Sequence, residues 1–210
     1  MEKRFRAILL AAGFGTRLKP ITNDIQKCML PINGKPLLQI WLDDLSKAGC
    51  DAVIVNTHYK HEQVEAFLSK LHYENMRIIP IYEDTLLGTA GTLIRNKDFF
   101  EGATGLLIHA DNFSRENIQN FLKAHAQRDP RTFITMLTFN SDNPTQVGII
   151  EKDNKGVMIG FHEKSEFANG DCANGAVYAF DKDFITWLNK NFTNAFDFSL
   201  EILPKLINKV

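Results

Sequence analysis

The run Ala7-Ile8-Leu9-Leu10-Ala11, broken at Gly13, limits the possible architectures more than any other segment. It is apolar throughout, without the polar alternation of a half-exposed strand, and too short for a buried helix. It therefore reads as a strand covered on both faces, as in a parallel sheet. From Pro36 the period changes: Leu37, Leu38, Trp41, Leu42, Leu45 and Ala48 recur at helical spacing, and Gly49 supplies the stop. Further strands are predicted at 53–55, 77–82, 105–109 and 132–139, with helices at 63–71, 89–95 and 115–127 between them. Strands joined by helical crossovers give an α/β fold with a mainly parallel sheet and helices on both faces.

The texture changes after Pro144. Gly148-Ile149-Ile150-Glu151 and Val157-Met158-Ile159-Gly160-Phe161 flank Asp153-Asn154-Lys155-Gly156, a hairpin turn signal, so the second half is expected to be antiparallel. A last strand at 176–180 and two helices close the chain. No repeat, low-complexity tract or linker divides residues 1–210, which are expected to form one domain.

With Lys+Arg 24 against Asp+Glu 25, the net charge of -1 offers no bulk attraction for nucleic acid or a membrane surface. Cys28, Cys50 and Cys172 are odd in number and widely spaced, which fits reduced thiols rather than a disulfide framework or a zinc site. The basic start, Met1 to Arg6, precedes too short an apolar run for a secretion signal. A cytoplasmic protein is expected.

Directly after the first strand stands Gly13-Phe14-Gly15-Thr16-Arg17-Leu18-Lys19-Pro20. The glycines allow several backbone N–H groups to converge on one anion, and Arg17 adds a planar fork suited to phosphate oxygens. A Walker A loop would need Gly-Lys-Ser/Thr where Gly15-Thr16-Arg17 stands, and a dinucleotide fingerprint would need glycine at Leu18. Neither fits. Leu10 to Thr22, followed by Gln26-Lys27-Cys28-Met29-Leu30-Pro31-Ile32-Asn33-Gly34-Lys35-Pro36, resembles the N-terminal signature of the sugar-1-phosphate nucleotidyltransferases, LAAGxGTRLxPLT then PKxMLPIxGKP. Cys28 stands where many members have proline.

The resemblance continues through residue 206 and implies a Rossmann-like mixed sheet. It also implies a nucleotide-binding half at about 1–140 and a sugar-phosphate half at about 141–210. By it, Leu10, Ala11, Ala12, Gly13, Gly15, Thr16, Arg17 and Lys27 hold the nucleotide, with Arg17 on the β- and γ-phosphates and Lys27 on the α-phosphate. Glu83 would also belong to the nucleotide site, and the segment Leu87-Gly88-Thr89-Ala90-Gly91 would pack its backbone against the base, Gly88 being small enough to let it lie flat. Asp111, after Leu107-Ile108-His109-Ala110, matches the family's metal-binding aspartate, with Ala110 in place of glycine. Read without the resemblance, Asp111 at the carboxyl edge of a sheet suits Mg²⁺, while Asp111 or Ser114 would equally well cap the next helix.

Phe161-His162-Glu163-Lys164 and Ala173-Asn174-Gly175-Ala176-Val177-Tyr178 resemble the family's FxEKP and NAGIY motifs. They imply that Lys164 holds the sugar phosphate and that Glu163, Asn174 and the Gly148 backbone hold its hydroxyls. The implied reaction is attack of a sugar 1-phosphate on the α-phosphorus of an NTP, with Arg17, Lys27 and Asp111 as catalytic groups and Mg²⁺ as cofactor. GTP is the preferred donor by the form of Glu83 and the Leu87–Gly91 segment, although UTP, CTP and dTTP enzymes share much of this frame. The alternative is a nucleotide-binding protein of the same fold with little turnover. That alternative arises because the chain reaches Val210 before the W-x-D-x-G-T-like segment that brings a second metal aspartate in the family. Asp197 is assigned to a helix N-cap rather than to the metal. Among the histidines, His58 and His61 have a loose HxxH spacing without other metal signals, and His109 reads as a core histidine satisfied by backbone.

Overall fold

A computed structural model describes residues 4–166 and 169–207. In chain order the elements are β1 (Phe5–Leu10), a small hairpin of β2 (Pro31–Ile32) and β3 (Lys35–Pro36), α1 (Leu37–Lys47), β4 (Ala52–Thr57), α2 (His61–Leu68) and β5 (Arg77–Tyr82). There follow α3 (Gly88–Arg95), β6 (Thr104–His109), α4 (Ile118–Ala126), β7 (Ile134–Asn140), β8 (Gly148–Lys152), β9 (Met158–Glu163) and β10 (Cys172–Phe180). The described chain closes with α5 (Lys182–Asn191), a π-helical turn Phe198–Ile202 and α6 (Leu203–Leu206).

The main sheet runs β5-β4-β1-β6-β10-β8-β9, with β7 also paired to β10. β5, β4, β1 and β6 are parallel, while β10 runs antiparallel to β6, β7 and β8. The fold is thus the Rossmann-like mixed sheet expected, and its antiparallel part continues the same sheet. Ala7 and Leu9 pack into one core with α1 and Phe121 of α4, whereas Ile8 faces the other core with α3, α5 and the C-terminal turns. This is why β1 is apolar from Ala7 to Leu10: each face carries its own layer. Among the described residues no helix is long and apolar enough to cross a membrane.

Two boundaries differ from the sequence reading in ways that matter. α4 begins at Ile118 rather than near Arg115, because Asn117 is its cap and accepts from the Asn120 N–H at 3.0 Å. Asp111 and Ser114 are therefore not needed to open it. β10 begins at Cys172 rather than Ala176, because the strand passes through a bulge between Asn174 and Tyr178, with Ala176 at φ 54°. The bulge lets one strand pair with β8 through Ala173 and with β6 from Val177 to Phe180.

Candidate active site

Parallel pairing sets the floor of the site. Ile8 lies opposite Ile54 and Leu107, and two residues on, Leu10 lies opposite Asn56 and His109. Side chains two apart share a face, so Leu10, Asn56 and His109 form the next row at the carboxyl edge, beyond the buried Ile8 row. Asn56 is buried and fully used: its Oδ1 accepts from the Ala11 N–H at 2.7 Å, and its Nδ2 donates to Glu83 Oε1 at 3.0 Å. Glu83 also accepts from Thr92 Oγ1 at 2.6 Å and from the Leu87 N–H at 3.1 Å. Its carboxylate thus ties β4, α3 and the Leu87 turn together behind the cleft wall. Glu83→Ala strands these buried donors and is expected to cost about 3 kcal/mol or more of stability, read by chemical denaturation.

The glycine loop is buttressed from below. Buried Gln26 donates to the carbonyls of Ala11 and Gly13 and accepts from the Cys28 N–H at 2.8 Å. Gly15 has φ 63°, and a Cβ there would come within 2.9 Å of the Thr22 side chain and 3.2 Å of Lys27 Cβ. Loop and Lys27 are thereby drawn close, while Gly13, Thr16 and Arg17 stay exposed on the cleft side.

The Gly88–Gly91 segment is fastened to residues near the other end of the chain. Ala90 N–H donates to the Phe196 carbonyl at 3.0 Å, and Phe198 N–H donates to Thr89 Oγ1 at 2.7 Å. A Cβ on Gly88, which has φ 75°, would lie 2.3 Å from the Phe196 carbonyl oxygen and 2.8 Å from its ring. The neighbour that uses the bare face of Gly88 is therefore Phe196, whose half-exposed ring lines the cleft beside Thr89.

The cleft has two lobes. One is lined by Leu10 to Gly13, Asn56, Gly88, Thr89 and Phe196, and the other by Gly15 to Arg17, Gly148, Glu163, Lys164 and Asn174. Lys27, His109, Asp111 and Asp197 border both. At this junction Lys27 Nζ meets Asp111 Oδ2 at 2.6 Å, with both side chains partly exposed. On the second lobe Lys164 stands at φ 47° and its Nζ is 3.5 Å from Glu163 Oε1. Gly148 sits opposite Glu163 in the β8–β9 pair, where a Cβ would fall 2.7 Å from Glu163 Oε2. The Asn174 amide is shared with the bulge, its Oδ1 accepting from the Ala176 N–H at 2.8 Å and its Nδ2 donating to Tyr178 Oη at 2.7 Å.

Of the residues assigned to nucleotide, metal or sugar phosphate in the sequence, all border this cleft except Glu83 and, in the Gly88 segment, Leu87, Ala90 and Gly91. Asp197 does cap the π-helical turn, accepting from the Leu200 N–H at 2.9 Å, yet it also faces the junction. His58 is turned to the Glu83 carbonyl and His61 to Glu65 and Tyr82. Among the described residues no three His, Cys, Asp or Glu side chains gather as a metal-binding group. His109 corrects the sequence reading: its Nε2 is buried with no hydrogen-bond partner. Gln26, Asn56 and Phe196 were not singled out at all. A polar residue ending an all-apolar strand, as in Val53-Ile54-Val55-Asn56, is the signal that could have found the second of these.

The profile of the nucleotidyl transferase family matches residues 6–210. The chain belongs to the sugar-1-phosphate nucleotidyltransferase family. It is 31% identical over 178 residues to a D-glycero-alpha-D-manno-heptose 1-phosphate guanylyltransferase of Campylobacter jejuni, covering 85% of this chain and 76% of that one. It is 26% identical to a UTP–glucose-1-phosphate uridylyltransferase of Synechocystis, covering 97% of this chain and 55% of the relative. The crystal structure of HddC from Yersinia pseudotuberculosis complexed with GMP-PN superposes with a TM-score of 0.77 at 25% identity, over 95% of this chain and 85% of that one. The chain spans about half the length of several curated family members it matches.

Proposed function

We propose that this chain transfers a nucleoside monophosphate from an NTP to a sugar 1-phosphate and releases pyrophosphate. The observation that carries the reading is the junction: two lobes of one cleft meet at Lys27 and Asp111, as two substrates that react with each other require. The nucleotide would occupy the lobe of Leu10, Ala11, Ala12, Gly13, Gly88 and Thr89, with its phosphates toward Gly15, Thr16, Arg17 and Lys27. The sugar phosphate would occupy the lobe of Gly148, Glu163, Lys164 and Asn174. The attacking phosphate oxygen is already an anion, so no general base is assigned. The protein's work is alignment and charge neutralisation.

Asp111, a partly exposed carboxylate at the sheet edge, fits a divalent cation held jointly with substrate phosphates. Such a cation supplies charge neutralisation at the reacting phosphate when bound. Lys27 would then turn from Asp111 to the α-phosphate, Arg17 would hold the departing pyrophosphate, and Lys164 would orient the nucleophile. GTP as donor is supported by the names of the heptose and mannose guanylyltransferase relatives and by the GMP-PN complex of HddC.

The test is a matrix of NTPs against sugar 1-phosphates, read by pyrophosphate release. Turnover with one pair at the micromolar to millimolar KM usual for enzymes supports the reading, and no release from any pair refutes it. Within that assay, Lys164→Ala is expected to raise KM for the sugar phosphate by about tenfold or more, whereas Lys27→Ala lowers kcat. A Lys164 variant impaired only in NTP binding would contradict the two-lobe division.

A further inference from the structure

Among the described residues the main sheet is open along β5, β9 and β7. β5 is blunted by Arg77 and Pro80, and β9 carries His162 and Glu163. Charges, proline and bulges are what keep an edge strand from pairing with another chain. β7, Ile134-Thr135-Met136-Leu137-Thr138-Phe139-Asn140, has no charge and no proline, and the extra residues of its irregular pairing lie on β10. It is exposed from Thr138 to Asn140. Just beyond, the Ser141 N–H donates to the Asp171 carbonyl at 2.8 Å, continuing the β7–β10 register. Antiparallel rungs alternate between bonded and non-bonded pairs, so Ile134, Met136, Thr138 and Asn140 turn their backbone N–H and C=O groups away from β10.

We propose that β7 is the docking edge for a second copy of this chain, which adds its own β7 antiparallel across a two-fold axis at Leu137 and joins the two sheets into one. With that centre Ile134 faces Asn140 of the second copy and Met136 faces Thr138, so all four outward residues of each strand find partners, as a self-complementary contact requires. Charge at the two ends of the strand selects this occupant. Beside β7, Arg128, Arg131, Lys152 and Lys155 line one cavity, with Asp129 the sole acid among its described lining residues. Past the other end stand the exposed Asp142 and Asp171, neither in an ion pair among the described residues. Antiparallel self-pairing lays the basic end of each copy on the acidic end of the other, whereas a parallel arrangement sets like ends together. No residue of β7 borders the cleft, so the surface is independent of the transfer reading. A contact built on one strand pair is small for a dimer, and a Kd of about 1–100 µM is expected.

The test is sedimentation velocity over about 1–300 µM protein, with hydrogen–deuterium exchange of wild type at both extremes. Wild type is expected to pass from monomer to dimer, its β7 amides gaining protection only at the high concentration. Thr138→Pro removes an outward N–H without removing a bond to β10, and is expected to weaken dimerisation about tenfold or more. Arg131→Glu and Asp142→Arg each set like charges at both ends of a homodimer, and each alone is expected to stay monomeric. Mixed in equal amounts, the two match opposite charges at both ends and regain the dimer. A wild type that remains monomeric throughout overturns the proposal. So does a dimer whose β7 amides gain no protection, or a pair of charge variants that dimerise as wild type does and gain nothing on mixing. Should Thr138→Pro fail to fold, the exchange and mixing experiments still decide.

Discussion

Asp111→Asn is expected to lower kcat about a thousandfold or more, roughly 4 kcal/mol in the barrier, while the protein stays folded. The carboxylate is partly exposed, and among the described residues its side chain is bonded to Lys27. An amide oxygen can still accept from that lysine, so the substitution removes a charge without opening a cavity. On the proposed reading, what it removes is the anionic anchor for a cation placed where both lobes meet. The measurement is pyrophosphate release at saturating Mg²⁺ and at saturating Mn²⁺, beside a thermal melt. Turnover within a fewfold of wild type in either metal would exclude Asp111 as the anchor.

Gly88→Ala should damage the protein in a different manner. The new methyl would lie 2.3 Å from a backbone oxygen, and φ 75° is itself unfavourable for alanine by about 1–2 kcal/mol. Relief requires the Phe196 segment to withdraw, which breaks the Ala90 to Phe196 and Phe198 to Thr89 hydrogen bonds. A total loss of about 3 kcal/mol and at least about tenfold weaker nucleotide binding are expected. Gly13→Ala is the control for stability, since a Cβ there meets nothing within 4 Å. Denaturation curves and nucleotide titrations of both variants give the comparison. Equal stability of the two would mean that the close approach of Phe196 is not a constraint.

The parallel half of the fold was legible because β1, β4, β5 and β6 are each read from their own residues: apolar runs, helical spacing and glycine stops are local signals. The antiparallel hairpin of β8 and β9 was legible for the same reason, through its Asp153–Gly156 turn. β10 was only half visible, because the bulge at Asn174 and Ala176 reflects a change of partner strands that no short window reports. In the site, the glycine loop, Lys27 and Asp111 stood in recognisable motifs. The function of Glu83 as a tie between β4 and α3 did not, since Asn56 and Thr92 reach it from 27 and 9 positions away in the chain. His109 looked like a strand residue because its neighbours are apolar. Only the register that sets it beside Leu10 at the cleft makes its unpaired nitrogen apparent.

The place of β10 in the sheet has a bearing on biogenesis. β6 has β1 on one side and, on the other, a strand that ends at Phe180. While the ribosome is still making residues 110–171, β6 therefore presents an open, apolar edge of the kind that invites pairing with another chain. The nascent protein depends on its late segments to seal the middle of its own sheet, and substitutions that slow the docking of β10 should show themselves first as lost soluble yield during synthesis.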